Sequence, residues 1–146
     1  MAQRPRLKST RRAEPPREWK GPLTFTLPWP PSVNGYWRAI VTGGRVRQIL
    51  SADARAYRRN AQLRLFVQRA VRPNINTPVH VYIEAAEPEG RRRRDLDNVL
   101  KAALDAMVHA GILEDDCYVD ELRIKRMEFR TPTGHLWVSI SEPGGS

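Results

Sequence analysis

The sequence predicts an α+β fold: a small mixed β-sheet with two main helices packed on it. Three observations carry that expectation. Apolar and polar residues alternate through Leu23–Leu27, Val79–Ile83 and Leu136–Ile140, the period of a strand with one buried face. Two longer stretches, one from about residue 52 and one from Asp95 or Leu96, repeat their apolar residues at helical spacing instead. Gly43-Gly44 lies between Ile40-Val41 and Val46, the pattern of a hairpin. The order strand, hairpin, helix, strand, helix, strand, strand then implies a mixed sheet with helices on it.

Each element has a local cause. Leu23, Phe25 and Leu27 alternate with Pro22, Thr24 and Thr26 as the first strand. Pro28, Pro30 and Pro31 end it and forbid a helix, since proline lacks the amide donor and fixes φ. The segment Pro30-Pro31-Ser32-Val33-Asn34-Gly35-Tyr36-Trp37 is expected to be a rigid turn into a second extended piece, which doubles back at Gly43-Gly44. Ser51 suits the N-cap of a helix over about 52–71. Ala54, Tyr57, Ala61, Leu65 and Ala70 give it one apolar side, and Arg55, Arg58, Arg59, Arg64 and Arg69 supply cations around the rest. Val71-Arg72-Pro73-Asn74 ends it. Val79, Val81 and Ile83 form the next strand, and Pro88-Glu89-Gly90 a loop. Leu96, Leu100, Ala103, Leu104 and Met107 are the expected core stripe of the second helix, with Gly111 at its C′ position. Beyond a turn at Glu114–Asp116, residues 118–129 are expected to be extended, with Leu122 and Ile124 in phase; Leu136, Val138 and Ile140 make the last strand. One domain over 21–142 follows, with a basic extension at 1–20 and a frayed end at 143–146.

The formal charge of +9 favours a polyanionic partner. It is unevenly spread. Residues 1–20 hold seven Lys/Arg and two Glu, a net +5; the other 126 hold 18 Lys/Arg and 14 Asp/Glu, a net +4. The extension is polar and Pro-rich, and is expected to stay disordered until something acidic binds it, or to act as a solubilising leader. The single cysteine, Cys117, allows no intrachain disulfide and fits a reducing compartment. No apolar run approaches the ~20 residues of a membrane span, and the basic N-terminus lacks the apolar region of a secretory signal. A soluble cytoplasmic protein with no membrane partner is the expectation. His80, His109 and His135 have no metal-ligand spacing with Cys117, which excludes a zinc site of the usual kind.

The chemistry concentrates at Arg91-Arg92-Arg93-Arg94-Asp95-Leu96-Asp97-Asn98, with Lys101 downstream and Glu114-Asp115-Asp116 beyond the helix. Cations recruit phosphate and carboxylates repel it, so a site holding both makes sense if divalent cations sit between them. The plainer account of Asp95 and Asp97 is helix capping and first-turn placement. Asp97 and Lys101 lie four residues apart and share a helical face, where they could instead be a surface ion pair. Asp105 continues that line, with a structural role expected. If the strand after Asp116 pairs antiparallel, or lies beside the helix start, Asp116 reaches Asp95 and Asp97. Three carboxylates that close need a cation, and Mg²⁺ or Mn²⁺ suits all-oxygen ligands.

These residues resemble the RusA family of Holliday junction resolvases. The resemblance rests on 91–98, Lys101-Ala102-Ala103, Asp105-Ala106, Ala110-Gly111 and Asp115-Asp116. It extends to Leu27-Pro28-Trp29-Pro30-Pro31-Ser32-Val33-Asn34 and to Tyr36-Trp37-Arg38, covering roughly 23–142. It implies a RusA-like, homodimeric, Mg²⁺-dependent endonuclease that cuts four-way DNA junctions by paired symmetric nicks, in a bacterial or phage setting. It implies that Asp95, Asp97 and Asp116 are the essential carboxylates and metal ligands, and that Lys101 is the important lysine. Arg91, Arg92, Arg93, Arg94, Asn34 and Arg38 are the candidate DNA contacts, against solvated charge or turn chemistry. Trp29, Tyr36 and Trp37 could stack on junction bases, although packing is the simpler role. A non-catalytic branched-DNA-binding protein that keeps the fold, and a nuclease for other branched DNA, stand as alternatives.

Overall fold

The computed structural model describes residues 22–32, 36–68 and 73–143. The basic extension, Asn34 and the last three residues fall outside these. β1 (Leu23–Pro28) is followed by β2 (Trp37–Thr42), β3 (Arg45–Leu50), α1 (Ala52–Val67), β4 (Val79–Ala86), α2 (Leu96–His109), a 3₁₀ turn at Asp116–Tyr118, β5 (Val119–Arg126) and β6 (His135–Ser141). The main sheet has the order β1-β6-β4-β5, and β2 and β3 form a separate two-stranded sheet. Only β4 and β5 pair parallel within the main sheet, so it is mixed, as expected. Among the described residues no helix is long and apolar enough to cross a membrane.

One face of the main sheet carries the core. Phe25, Leu27, Val79, Val81, Ile83, Leu136, Val138 and Ile140 are buried at alternate positions, facing Ala54, Tyr57, Ala61 and Leu65 of α1 and Val99, Ala102, Ala103, Ala106 and Met107 of α2. The stripe expected for α2 is therefore rotated. Leu96, Leu100 and Leu104 pack only at its margin, while alanines take the closest positions. Small side chains let the helix axis approach its neighbours, so size decided the face more than hydrophobicity did.

α1 starts as expected, with the Ser51 hydroxyl accepting from the Ala54 amide at 3.1 Å. It ends four residues sooner than the apolar pattern suggests. Gln68 takes the C-cap position, and its side-chain amide bonds the free edge of β1: Thr26 N donates to Oε1 at 2.8 Å, and Nε2 donates to the Thr26 carbonyl at 2.9 Å. The amide replaces a neighbouring strand on that edge, a tertiary pull that periodicity does not reveal. Gly43 and Gly44 have φ of 58° and 76°, the left-handed conformation a two-residue hairpin turn requires.

Candidate functional site

The site is built around α2 and the loop that delivers it. Glu87, at the end of β4, is the one buried charged residue among those described. Its carboxylate accepts from the Arg126 guanidinium of β5 and, at 3.0 Å, from the Arg94 amide. Arg126 also donates to the Arg94 carbonyl at 2.7 Å. Burial alone would raise the Glu87 carboxyl, but Arg126 and the Arg94 amide outweigh it and hold it below the ordinary carboxylate range. The 131–134 loop braces the same segment. Glu89 N donates to the Thr131 carbonyl at 2.8 Å, and Thr131 N to the Glu87 carbonyl at 3.1 Å. The residue immediately before Asp95 is thus fixed at both its amide and its carbonyl.

This clamp changes the role of one expected DNA contact. The Arg94 side chain turns inward, donates to the Pro30 carbonyl and lies 5.5 Å over the Trp29 ring. Burial lowers its pKa, and Arg91 adds to the effect. Arg94 and Trp29 are therefore committed to architecture. Arg91, Arg92 and Arg93 remain exposed, as does Arg38.

Asp95 occupies the N-cap of α2, yet its side chain makes no capping hydrogen bond. A capping Asp contributes about 1 kcal/mol, so this exposed carboxylate forgoes an available stabilisation. Asp97 sits in the first turn, also exposed. Among the described residues no ion pair joins it to Lys101, so the simple surface-pair account of those two does not hold.

Lys101 lines an open cavity of about 410 Å³ together with Tyr36, Trp37, Leu104, Asp105, Asp115 and Asp116. The Asp115 carboxylate accepts from the Cys117 amide at 3.1 Å, which shapes the turn that carries Asp116. At the cavity floor Asp105 has the structural role expected of it. Arg58 of α1 grips it with Nε at 2.8 Å and Nη2 at 2.7 Å, and the Tyr36 hydroxyl donates to it as well. Burial would raise the Asp105 carboxyl; Arg58 and Tyr36 hold it below its ordinary range. Burial first, and the bond to Asp105 second, push the Tyr36 hydroxyl well above the ordinary phenol range.

The structure brings Lys101 and Asp116 to one cavity and leaves Asp95 and Asp97 upstream on the helix. Asp97 is one turn, about 6 Å of helix axis, before Lys101. Of the two arrangements that would carry Asp116 to Asp95 and Asp97, antiparallel pairing of β5 with β4 is not taken. Because β5 runs parallel to β4, with Val119 beside Val79, Asp116 enters at the start of the sheet, whereas Asp95 follows the end of β4. Among the described residues no group of three or more His, Cys, Asp or Glu is placed to hold a metal ion. The donors nevertheless have the right chemistry. Mg²⁺ takes oxygen ligands and is commonly held by one or two carboxylates plus substrate phosphates, not by an all-protein cage.

Glu87 and Arg126 are positioning residues that sequence reasoning passed over, and Arg58, expected only as a cation on the first helix, is a third. Glu87 and Arg126 are 39 residues apart, and no local spacing links them. The available signal was a Glu that follows the Ala85-Ala86 end of the strand run and stands directly before Pro88.

Comparison with known proteins identifies the family. Residues 28–141 match the family described as Endodeoxyribonuclease RusA. The chain is 41% identical over 121 residues to crossover junction endodeoxyribonuclease RusA of Escherichia coli strain K12, covering 83% of this chain and 95% of that protein. Its likeness to the protein of the same name from Enterobacteria phage 82 is 41% over 120 residues, 82% and 94% of the two chains. The Enterobacteria phage HK97 protein is 37% identical over 119 residues, covering 81% of this chain and 92% of the relative. The matched span contains the clamp before Asp95, the helix bearing Lys101 and the Asp115-Asp116 turn, and the chain belongs to the RusA endodeoxyribonuclease family.

Proposed function

We propose that this protein is a structure-selective DNA endonuclease that resolves four-way junctions by paired symmetric nicks, acting as a homodimer with Mg²⁺, for which Mn²⁺ can substitute. The observation that carries the proposal is the exposed Asp95 carboxylate, which sits where a cap belongs and does not cap. Asp95, Asp97 and Asp116 are the carboxylates offered to the cation, with phosphate oxygens of the substrate completing its shell; when bound it would supply an activated water and charge stabilisation for the leaving 3′ oxygen. Lys101, in the cavity it shares with Asp116, offsets the charge that develops on the phosphate. The exposed Arg91, Arg92 and Arg93 supply sequence-independent phosphate contacts. Two paired cuts call for two such sites, which a twofold dimer provides.

The test is a synthetic four-way junction incubated with the protein, with and without Mg²⁺. Symmetric nicks only with metal are expected, and Asp97→Asn should bind the junction and leave it uncut. Wild-type-like cleavage by that variant would remove the mechanism. A second possibility, a branched-DNA-binding protein without catalysis, draws on the dispersed carboxylates. Shifted but intact DNA from the wild-type protein in Mg²⁺ and in Mn²⁺ would establish it. Parallel lanes with flaps and forks show whether other branched DNA is cut.

A further inference from the structure

The β2–β3 hairpin takes no part in the main sheet, and its two faces differ chemically. Residues directly opposite in an antiparallel pair share a face. The register pairs Trp37 with Leu50 and Val41 with Val46 on one face. On the other it pairs Arg38 with Ile49, Ile40 with Arg47 and Thr42 with Arg45. All three arginines of the hairpin therefore lie on a single face. Ile40 and Ile49 there are half-buried, while the arginines are exposed. Long cationic side chains commonly lay their stems on such apolar neighbours and keep their heads in water. No acidic residue occurs between Tyr36 and Ser51, and among the described residues none of the three arginines is in an ion pair.

The base of the hairpin is fixed while its tip is free. Ser51 N donates to the Tyr36 carbonyl at 2.9 Å, and Arg55 Nη1 donates to the Leu50 carbonyl at 2.7 Å. The Tyr36 hydroxyl is bonded to Asp105 at the cavity floor. Toward the tip, Val41 and Val46 are 75% and 72% exposed. An isolated two-stranded ribbon is marginal in water, so an exposed one of this composition is expected to meet a partner. Trp37 lines the cavity with Lys101 and Asp116, and side chains alternate along a strand. At the root, the arginine face therefore turns away from the cavity.

We propose that the β2–β3 hairpin is a second DNA-gripping element. Its Arg38/Arg45/Arg47 face holds the phosphates of a duplex arm other than the one entering the catalytic cavity. This rests on the junction-cutting function proposed above and deepens it. A branched substrate offers a second duplex arm and a linear duplex does not, so the hairpin contributes to structure selectivity. The partner is assigned by charge complementarity, because three exposed cations on one face, with no ion pair among the described residues, fit a polyanion and not an apolar protein surface.

The test replaces Arg38, Arg45 and Arg47 with Gln in the full chain, and measures binding without divalent metal to a four-way junction and to a linear duplex across a salt series. Three lost phosphate contacts should flatten the log–log salt slope for the junction by roughly 2–3 and weaken its binding at least ~10-fold at low salt. Linear-duplex affinity should change by less than ~3-fold. Arg45→Gln alone, at the tip, should flatten the slope by about 1, and circular dichroism checks that both variants fold. An unchanged junction slope overturns the proposal, and so does equal loss on junction and duplex. A drop in sedimentation coefficient of the free variant also overturns it, since the face would then join two copies of the chain. A wild-type protein that binds junctions steeply in salt but never cuts them defeats the catalytic function instead, and leaves the hairpin result to be judged on its own slope.

Discussion

Glu87→Gln isolates the charge that holds the approach to Asp95. The side chains of Glu87 and Arg126 are 5% and 20% exposed. Removing one partner of a fully buried pair costs about 3–5 kcal/mol, mostly because the remaining charge stays buried and uncompensated. Two features reduce that here. Glutamine keeps an oxygen that can accept from the Arg94 amide, and Arg126 retains some water and its bond to the Arg94 carbonyl. The expected loss is therefore about 2–3 kcal/mol, or a fall in Tm of about 6–12 °C for a domain of this size. Urea unfolding at several pH values is the assay. The sign follows from the lowered folded-state pKa of Glu87. A depressed carboxyl contributes stability that is present above its unfolded-state value and is lost as pH falls through the folded-state value. The gap between wild type and variant should thus be constant from pH 6 to 8 and begin to close below about pH 4.5. A gap under about 0.5 kcal/mol at pH 7, or one that persists undiminished once the native protein is fully protonated, would refute the electrostatic role.

Three further outcomes follow. Gly134 has φ of +73°, and a Cβ there would lie 2.8 Å from Pro88 Cδ and 3.0 Å from Trp29 Cβ, so Gly134→Ala should cost roughly 2–4 kcal/mol in chemical denaturation. Tyr36→Phe removes the hydroxyl donated to Asp105 and should cost about 1–2 kcal/mol; a double-mutant cycle with Arg58→Met should give a coupling above about 0.5 kcal/mol, and strict additivity would dissolve the network. Lys101→Ala should lower single-turnover junction cleavage on the order of 10²–10³-fold while changing junction affinity less than about threefold, and an equal fall in both would make Lys101 a binding residue.

The parts of the fold legible in the sequence are those where one face is buried and the chain keeps one period. Phe25 and Leu27, Val79 to Ile83, and Leu136 to Ile140 announced their strands because alternation and burial coincide there. Ser51 announced α1 through a local cap. Strand direction was not legible. The side chains of β5 read alike whether it pairs parallel or antiparallel, yet direction decides at which end of the sheet Asp116 emerges. Leu122, expected to be inward, is 38% exposed because β5 is an edge strand with a neighbour on only one side. Candidate chemistry was legible as residue types, since Asp, Lys and Arg near one helix suit phosphate chemistry. The supports were not, because Arg58–Asp105 and Arg126–Glu87 join residues 47 and 39 positions apart.

Those supports decide how a cation could be gathered. α2 is fixed at its start by the Glu87–Arg126–Arg94 clamp and at its middle by Arg58 and Tyr36 on Asp105. The other side is fixed too. Ile112 and Leu113 are fully buried, and Glu114 N donates to the Ile75 carbonyl at 2.9 Å. Gathering all three carboxylates by sliding either element would break charge-assisted bonds or uncover core, each costing several kcal/mol. Ligands from outside the single chain are cheaper, and the substrate brings phosphate oxygens with it. Cation and junction should therefore bind with positive coupling, each tightening the other by the same factor. Calorimetric titration of Mn²⁺ into the Lys101→Ala protein, free and bound to a four-way junction, measures that factor without cleavage obscuring it. Weak binding to the free protein, on the order of millimolar, and at least ~5-fold tighter binding in the complex are expected. Low-micromolar binding by the free protein, unchanged by DNA, would mean that the chain gathers its carboxylates unaided and that the two clamps do not hold them apart.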